Sequence, residues 1–393
     1  MQAVRIRENI YWVGGIDWDL RNFHGYVTQR GSSYNAYLII DEKITLIDTV
    51  KHYLTDEMIS RIRSVIDPSQ IDYIVSNHVE MDHSGGLPAI IDITPNAEII
   101  TSPQGLKGLK KHYSDNYPYR AIANGEEIET GNNTLKFILT PMVHWPDNMV
   151  TYLKEEKILF SNDAFGQHIA SSQRYAGDLG ISLVMEEARK YYANIVLPYS
   201  SQVQKALEAL SDVELELIAP SHGVMWKKQI PAILKNYRHW SGNHTEKEAV
   251  IVYDSMWGST RQMAYAVLDA FAQSGYNAQM MDLKYNHISD IMTHMMTAEY
   301  LCVGSPTLNN NMLPTVSAFL TYLKGLAPKN RKAIVFGSYG WGGQATKIVE
   351  EMLQSADFDV KHTEKYQYVP TEEYLQQLMQ TVKGVLNDGK KTD

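Results

Sequence analysis

The sequence predicts a two-domain α/β protein, and three observations support this prediction. At 393 residues the chain is too long for one average domain. Short apolar runs rich in β-branched residues recur along the chain and are typical of buried strands. From residue 249 onward such runs alternate with helical segments, which predicts a doubly wound parallel sheet. The predicted domains are residues 1–246 and 249–393, joined by a polar linker.

Composition argues against several classes of function. The net charge of −9 disfavours a general nucleic-acid-binding protein. No run approaches the roughly 18 apolar residues of a membrane span, so we expect no membrane partner. The first residues lack the apolar core of a signal peptide, and we expect a cytoplasmic protein. The single cysteine, Cys302, cannot supply the four thiolates of an iron–sulfur or rubredoxin-type centre.

The first domain leads into a cluster of metal-binding residue types. Strands are predicted at Ile10–Val13, Tyr34–Ile40, Ile44–Ile47 and Ile71–Val75, and a helix at Thr55–Val65 with Thr55 as its N-cap. Directly after the last of these strands, four potential ligands fall within six residues: His78, Glu80, Asp82 and His83. The end of a buried strand places such side chains at the sheet edge, where α/β sites form. The alternative is an ordinary polar loop.

Three later strands end in the same chemistry. The strand Thr134–Leu139 is followed by His144, Lys157–Ser161 by Asp163, and Glu216–Ala219 by His222. A lone histidine is more often a hydrogen-bonded structural residue than a ligand. Because these residues all follow strands of one domain, together they favour a two-metal site.

The second domain is predicted to be a flavodoxin-like sheet. Its predicted strands are Ala249–Tyr253, Ala278–Leu283, Tyr300–Val303, Ala333–Phe336 and Tyr366–Val369. Its predicted helices are Thr260–Gln273, Ile288–Met296, Pro314–Leu323, Gln344–Leu353 and Glu372–Val385. Five strands alternating with helices over about 145 residues fit the flavodoxin-like strand order.

Three loops of this domain have residues suited to a mononucleotide with a planar ring. They follow the first, third and fourth strands and contain Ser255, Met256, Trp257, Gly258, Ser259 and Thr260; Ser305, Pro306, Thr307, Leu308, Asn309 and Asn310; and Ser338, Tyr339, Gly340, Trp341, Gly342 and Gly343. Small and hydroxyl residues before a helix let backbone N–H groups bind phosphate, while the aromatic residues suit a planar ring. Ordinary turns are the alternative. Neither Gly-x-Gly-x-x-Gly nor a Walker lysine is present, so a mononucleotide is favoured over a dinucleotide or ATP.

Over essentially its whole length the chain resembles the flavodiiron proteins. The segments His144–Asp147, Asn162–Gly166 and Ser305–Thr307 are the most specific to that family. The resemblance implies a metallo-β-lactamase-like αββα sandwich ahead of the flavodoxin-like domain, with FMN and a diiron centre as cofactors. One iron would be held by His78, Glu80, His144 and Asp163, and the other by Asp82, His83, Asp163 and His222. It also implies a catalytic residue near the metals at His24, with Tyr192 and His168 as further candidates.

The residues themselves also point to redox chemistry. Zinc hydrolases of this fold use mostly nitrogen ligands at the first metal, and the Glu80 carboxylate favours iron or manganese instead. Two ferrous ions and a reduced flavin hold four electrons, enough to convert dioxygen to two waters. Two electrons couple two nitric oxides into nitrous oxide. The sequence therefore predicts a reductase of dioxygen, nitric oxide or both.

Partners follow from the single cysteine and from the resemblance. Because the chain lacks a thiolate cluster, electrons must come from an external donor, and the family implies a rubredoxin-like protein or a reduced deazaflavin. It also implies a head-to-tail homodimer or a dimer of dimers. Two alternatives remain at this point: a metal-dependent hydrolase with a regulatory flavodoxin domain, and a flavin-containing electron shuttle or gas sensor. Bound zinc together with esterase activity would favour the hydrolase. Absence of steady-state turnover would favour the electron shuttle or gas sensor.

Overall fold

The computed structural model describes residues 1–388, which divide into two compact units. The first unit comprises Met1–Tyr192 and Tyr199–Arg238; the second begins at His239 and also includes Ala193–Pro198. Among the described helices, none combines the length and apolar character needed to cross a membrane.

The first unit contains two large sheets and two short ribbons. Its strands are β1 (Val4–Arg7), β2 (Ile10–Trp12), β3 (Gly15–Asp17), β4 (Asn22–Phe23), β5 (Tyr26–Val27), β6 (Ser32–Tyr34), β7 (Tyr37–Ile39), β8 (Ile44–Ile47), β9 (Ile71–Ser76), β10 (Glu98–Thr101), β11 (Tyr119–Ala121), β12 (Glu127–Glu129), β13 (Thr134–Leu139), β14 (Met149–Leu153), β15 (Ile158–Asn162) and β16 (Leu217–Pro220). One sheet has the order β1-β2-β7-β8-β9-β10-β11 and the other β12-β13-β14-β15-β16. The ribbons pair β3 with β6 and β4 with β5.

The core of this unit lies between the two sheets. Buried Ile47 and Val75 of one sheet share a hydrophobic cluster with Phe137 and Phe160 of the other. The helices are α1 (Thr55–Arg63), α2 (Met81–Ser84), α3 (Leu87–Ile91), α4 (Pro103–His112), α5 (Ala176–Leu179), α6 (Ile181–Tyr191), α7 (Ser200–Ala209) and α8 (Ile230–Ser241).

Helices cover the outer face of each sheet. Met58 of α1 and Leu109 of α4 pack in a second cluster on the outer face of the larger sheet. Val203 of α7 and Tyr237 of α8 line a small cavity together with Val150 of β14. The layers are therefore helix, sheet, sheet, helix, as the predicted αββα sandwich requires.

The second unit is a five-stranded parallel sheet with helices around it. Its strands are β17 (Glu246–Tyr253), β18 (Asn277–Asp282), β19 (Ala298–Gly304), β20 (Lys332–Tyr339) and β21 (Asp359–Gln367), and its helices are α9 (Ser259–Gln273), α10 (Ile288–Met295), α11 (Pro314–Leu326), α12 (Ala345–Ser355) and α13 (Glu372–Asp388). The strand order is β18-β17-β19-β20-β21, and every pair is parallel. The flavodoxin-like order predicted from the alternating segments is confirmed.

Several element boundaries differ from the sequence-based expectation, including the predicted strand Tyr34–Ile40, which is divided into β6 and β7 in different sheets. The N-cap of α1 is Leu54, with no side-chain cap, because a 3₁₀ turn over His52–Leu54 leads directly into the helix. Strand β17 begins at Glu246, inside the predicted linker. The last strand, expected at Tyr366–Val369, runs from Asp359 to Gln367 instead. It lies at the sheet edge and is largely polar, so no apolar run marks it.

Candidate metal centre and flavin pocket

Seven side chains predicted as metal ligands converge at one edge of the two sheets of the first unit. His78 and Glu80 follow β9, and Asp82 and His83 lie on the short helix α2. The other three come from the loops after β13, β15 and β16, as predicted: His144, Asp163 and His222. The ligands on α2 and after β15 and β16 are each at most 3% exposed, so the cluster is built into the protein interior.

The cluster has two halves that share Asp163. The first half-site consists of His78, Glu80 and His144, and the second of Asp82, His83 and His222. Asp163 Oδ2 lies 3.7 Å from His78 Nε2 and 3.5 Å from His144 Nε2. Asp163 Oδ1 lies 3.1 Å from His83 Nε2 and 3.3 Å from His222 Nε2. Each carboxylate oxygen thus faces one pair of imidazoles, which is the arrangement of a bridging ligand.

Each half-site also has one carboxylate of its own. Glu80 Oε2 lies 3.3 Å from His78 Nε2 and 3.5 Å from His144 Nε2. Asp82 places Oδ1 3.4 Å from His83 Nε2 and Oδ2 3.3 Å from His222 Nε2. Within each of two groups of three residues, the potential ligand atoms lie within 4.8 Å of one another. One group is His78, His144 and Asp163, and the other is Asp82, His83 and His222.

The buried charges of this cluster depend on one another. Burial opposes the charged form of Asp163, but His83, His144 and His222 outweigh burial and hold the pKa of this carboxyl well below its usual range. Burial likewise opposes the charged form of His222, but Asp163 and Asp82 raise the pKa of its imidazole to about 10. Bound metal ions would replace these protons as the positive charge.

The unpaired atoms of the cluster fit metal ions. Both carboxylate oxygens of Asp82, Oδ2 of Asp163 and Nε2 of His222 are buried and accept or donate no hydrogen bond within residues 1–388. Buried polar atoms of this kind are normally satisfied, so a missing partner needs an explanation. A mixed set of imidazole and carboxylate ligands suits iron, whereas zinc typically has sulfur-rich or all-nitrogen sets.

Hydrogen bonds fix the loop that carries the first ligands. Asp48 accepts hydrogen bonds from the backbone N–H of Asn77 at 2.8 Å and from its side-chain amide at 2.9 Å. Thr151 donates to Asn77 Oδ1 at 2.7 Å. Burial raises the pKa of Asp48 to about 6. This network ties the loop after β9 to both sheets.

His24 lies beside the cluster, as predicted. Its Nε2–H donates to Glu80 Oε1 at 2.8 Å, while 62% of its side chain remains exposed. The hydrogen bond with Glu80 raises the pKa of His24. This imidazole therefore connects a first-half-site carboxylate with solvent.

The expectation for Tyr192 was wrong by one residue. Tyr191 donates to Asp163 Oδ1 at 2.9 Å, whereas the Tyr192 hydroxyl shares a hydrogen bond with Ser200. Burial and the nearby Asp163 raise the pKa of Tyr191 well above its usual value, so this phenol keeps its proton. The buried positions of α6, at Val184, Ala188 and Tyr191, follow helical spacing, and that periodicity is the signal that could have identified Tyr191.

His168 is buried near the second half-site without facing the shared carboxylate directly. Its Nδ1 shares a hydrogen bond of 2.7 Å with Ser32 Oγ, and its ring centroid lies 4.9 Å from that of His222. Burial lowers the pKa of His168 well below its usual value, so the ring is neutral. It packs against a ligand and is not placed among the ligands.

The second unit has a cavity where the three predicted loops meet. Its volume is about 640 Å³, within the range of cofactor pockets. Lining residues from the predicted loops are Met256, Trp257, Ser259, Pro306, Thr307, Leu308, Asn309, Asn310, Ser338, Tyr339, Gly340 and Trp341. The Trp257 and Trp341 side chains at its rim are 94% and 82% exposed. Aromatic residues at the rim and a helix N-terminus at Ser259 fit a phosphorylated planar ring.

The remaining predicted flavin residues support the loops without lining the cavity. Thr260 and Ser338 share a hydrogen bond of 2.9 Å between their hydroxyls, and Ser255 Oγ accepts from the Gly258 N–H at 3.0 Å. Ser305 accepts from the Leu313 N–H at 3.0 Å. Gly342 and Gly343 have φ values of +86° and +72°, which non-glycine residues adopt with strain.

Two lining residues are absent from the predicted loops. Tyr368 and Val369 follow β21 and complete the wall of the cavity beside the third loop. The sequence predicts a strand at these two residues because the strand that ends at Gln367 is too polar to recognise. The signal that could have identified them is their position at the end of the fifth parallel strand, next to the strand that carries the third loop.

Comparison with known proteins agrees with the two-domain architecture. Residues 33–223 match the family model described as "ODP family beta lactamase", and residues 251–379 match the model described as "Flavodoxin". The predicted fold class of a β-lactamase-like domain followed by a flavodoxin-like domain is confirmed.

Relatives match the chain over nearly its whole length. A protein named nitric oxide reductase from Moorella thermoacetica is 42% identical, with 95% of this chain and 96% of that protein covered. The solved structure of rubredoxin oxygen:oxidoreductase from Desulfovibrio gigas is 41% identical, with a TM-score of 0.96 and 99% of both chains covered. The flavodiiron protein from Giardia intestinalis is 37% identical, with a TM-score of 0.95, 100% of this chain and 97% of that one covered. The chain belongs to the flavodiiron protein family.

Proposed function

We propose that this protein is an oxidoreductase that reduces dioxygen to water, nitric oxide to nitrous oxide, or both, with electrons from an external donor. The observation that carries the proposal is a carboxylate-rich two-metal cluster in the same chain as a flavin-type pocket. Its relatives are named as oxidoreductases of these two gases, which favours this reading over the hydrolase alternative.

The proposed cofactors are two iron ions and one FMN. The first half-site would hold one iron and the second half-site the other, with Asp163 shared between them. FMN would occupy the cavity of the second unit. When bound, these groups supply up to four electrons, which is the number needed to convert dioxygen to two waters.

Side chains of the cluster have distinct roles in this proposal. Tyr191 holds its proton on the phenol oxygen and orients Asp163 through the bond to Oδ1. His24 carries a proton at Nε2 between solvent and Glu80 Oε1. His24 is thus the proposed catalytic residue of the chain, with proton delivery as its role.

The function is tested by anaerobic turnover of the fully reduced protein with each gas separately. Oxidation of the flavin with water or nitrous oxide as the product would support the proposal. Purified protein that contains mainly zinc, lacks a flavin spectrum and hydrolyses esters would refute it in favour of a hydrolase. Flavin oxidation limited to one turnover, with donor in excess, would favour an electron shuttle or sensor.

The donor is proposed to be a rubredoxin-like protein or a reduced deazaflavin. A single buried cysteine, Cys302, leaves this chain without a thiolate relay of its own, and no dinucleotide fingerprint is present. We expect NADH alone to reduce the protein slowly. Stopped-flow measurement of flavin bleaching would compare the rates at which the external donors reduce it. Rapid NADH oxidation by the purified protein would contradict this expectation.

We further propose a head-to-tail homodimer, alone or paired into a dimer of dimers. Exposed apolar side chains surround the flavin cavity at Met256, Trp257, Trp341, Tyr368 and Val369. Others, Trp18, Tyr53 and Met81, are found in the first unit, and Met81 lies between the ligands Glu80 and Asp82 in the chain. Exposed apolar surface of this kind marks interaction sites, and pairing one patch with the other in two copies gives a closed, symmetric dimer.

Mixing two inactive variants tests this arrangement. Asp163→Ala supplies an intact flavin site, and a flavin-free form supplies an intact metal cluster. Mixed dimers should recover part of the activity. At one interface, the intact flavin site of one chain then faces the intact metal cluster of the other chain. Demonstrated subunit exchange without recovered activity would place electron transfer within each chain.

The functional domains are proposed as residues 1–246 and 249–393, which limited proteolysis near residues 241–247 would test. A cytoplasmic location likewise stays a prediction, which cell fractionation would test.

A further inference from the structure

The two half-sites are matched in their ligands but differ behind their histidines. Each has two imidazoles, one carboxylate of its own and one oxygen of Asp163. A metal-binding imidazole uses one ring nitrogen for the metal and donates the other N–H to a neighbour. That neighbour fixes the ring orientation and the electron density that reaches the metal.

Behind His78 this neighbour is a buried carboxylate. His78 Nδ1 lies 2.8 Å from Asp147 Oδ2, and Asp147 is 4% exposed. The same oxygen accepts the Val79 N–H at 2.8 Å. The backbone of Asp147 is fixed in turn, because its carbonyl accepts from Ser102 Oγ at 2.7 Å. His78 is therefore held with Nε2 toward the carboxylates of Glu80 and Asp163 and with the carboxylate of Asp147 bonded at Nδ1.

Neither histidine of the second half-site has a carboxylate hydrogen-bonded behind it among the described residues. His222 Nδ1–H donates to the backbone carbonyl of Ser33 at 3.0 Å, which is a neutral acceptor. His83 Nδ1 is buried and has no hydrogen-bond partner among the described residues. Each half-site has the same types of ligand, and the carboxylate of Asp147 bonded at His78 Nδ1 favours a cation at the first half-site.

We propose that Asp147 is a positioning residue that makes the first half-site bind metal more tightly than the second. Metal at Asp82, His83 and His222 is then the first to dissociate and the last to load. This inference rests on the proposed function, because it requires that both half-sites bind metal. Asp147 is the last residue of the motif His144–Asp147 and is not one of the seven predicted ligands. The inference gives this residue a role.

The test is titration of metal-free, full-length protein with Co²⁺ under anaerobic conditions, followed by the visible spectrum of the bound ion. Wild-type protein should bind in two steps whose affinities differ by at least about tenfold. Asp147→Asn keeps the size of the side chain and an acceptor oxygen but removes the charge. It should weaken the tighter step by about 10- to 100-fold and leave the weaker step within a few-fold of its original value.

The matched control is Asp48→Asn. Asp48 is also a buried carboxylate that holds the same loop, but it bonds Asn77, and its charge acts on His78 and His83 alike. Any loss of affinity in this variant should therefore be shared by both binding steps, whereas Asp147→Asn should weaken the tighter step selectively. A loss confined to the tighter step in Asp48→Asn would show that loosening the loop, and not the carboxylate bonded to His78, causes the effect, and would overturn the proposal.

A crystal structure of wild-type protein with one equivalent of Co²⁺ decides the question independently of any variant. Anomalous scattering should place the ion at His78, Glu80 and His144. An ion at the second half-site, equal occupancy of both, or an unchanged tighter step in Asp147→Asn would overturn the inference and leave the proposed function intact. If wild-type protein binds neither Co²⁺ nor Fe²⁺, the proposed function and this inference both fail.

Discussion

The metal cluster and the flavin pocket differ in how far each is enclosed by its own unit. The shared ligand Asp163 is 1% exposed, and the neighbouring histidines favour its charged form against the effect of burial. The flavin pocket is instead bordered by aromatic side chains in solvent, with Trp257 at 94% exposure. A buried charge that loses a partner carries a large energetic cost, whereas an open pocket that loses one contact keeps the others. Substitutions should therefore have all-or-none effects at the cluster and graded effects at the pocket.

The largest effect is expected from Asp163→Ala. Losing the shared carboxylate removes one ligand from each half-site, so metal content should fall from about two ions per chain to well below one, and turnover by at least about 100-fold. FMN should remain at one per chain because the second unit has its own core around Ile251 and Phe336. Metal analysis and the flavin absorbance measure the two outcomes. Turnover of Asp163→Ala within a few-fold of wild type would show that the metal cluster, like the flavin pocket, responds to substitution in a graded way.

Removing the metals with a chelator should destabilise the first unit selectively. A ligand that binds only the folded state at 1,000 times its Kd contributes about 4 kcal/mol. Calorimetry of the full-length protein should show a lower Tm for the unfolding of the first unit. The transition that releases FMN should stay in place. If both transitions shift together, the two regions are energetically coupled and the comparison has to be revised.

A smaller effect is expected from Thr260→Val in the flavin region. The substitution keeps the shape but removes the hydroxyl that bonds Ser338. FMN affinity should fall by about 1 kcal/mol, or about fivefold, with metal content unchanged. Thr321→Val is the control, since Thr321 makes a comparable bond to the Ser317 carbonyl on α11. Fluorescence titration with FMN measures both, and complete loss of FMN in Thr260→Val would show that the pocket is also all-or-none.

The smallest effect is expected from Asp41→Asn, in the first unit but outside the cluster. Although burial opposes its charge, hydrogen bonds from Asn132, Asn133 and neighbouring groups lower the pKa of Asp41 to about 2. A depressed pKa stabilises the folded state above the unfolded-state pKa near 4, and this contribution is lost as pH falls toward 2. Allowing for the solvent exposure of this group, the variant should lose about 1 kcal/mol at pH 7.

Urea unfolding at pH 7 and pH 3 tests the direction of this effect. The difference between wild type and Asp41→Asn should be smaller at pH 3. Asp115→Asn, at an exposed carboxylate that accepts no hydrogen bond among the described residues, should lie within about 0.5 kcal/mol of wild type. A loss in Asp41→Asn as large as that caused by metal removal would show that the scaffold is as sensitive as the cluster.

Much of the fold could be predicted from the sequence because its strands are buried. Runs such as Ile71–Ser76 and Ala298–Gly304 are apolar along most of their length, and their ends bear the residues that form the sites. The seven ligand positions and the three flavin loops follow from this pattern. The polar edge strand Asp359–Gln367 lacks the pattern, which is why Tyr368 and Val369 were missed.

By itself the sequence determined which residue types stand at the strand ends, and hence the two kinds of site and their order along the chain. Only the tertiary structure decided which of those residues meet. The bond between His78 and Asp147 joins positions 69 residues apart, and Tyr191 reaches Asp163 across 28 residues. Periodicity describes the few residues of one element, whereas these contacts depend on how sheets and helices pack. The position of Asp163 between the two half-sites and the carboxylate hydrogen-bonded behind His78 are consequences of that packing.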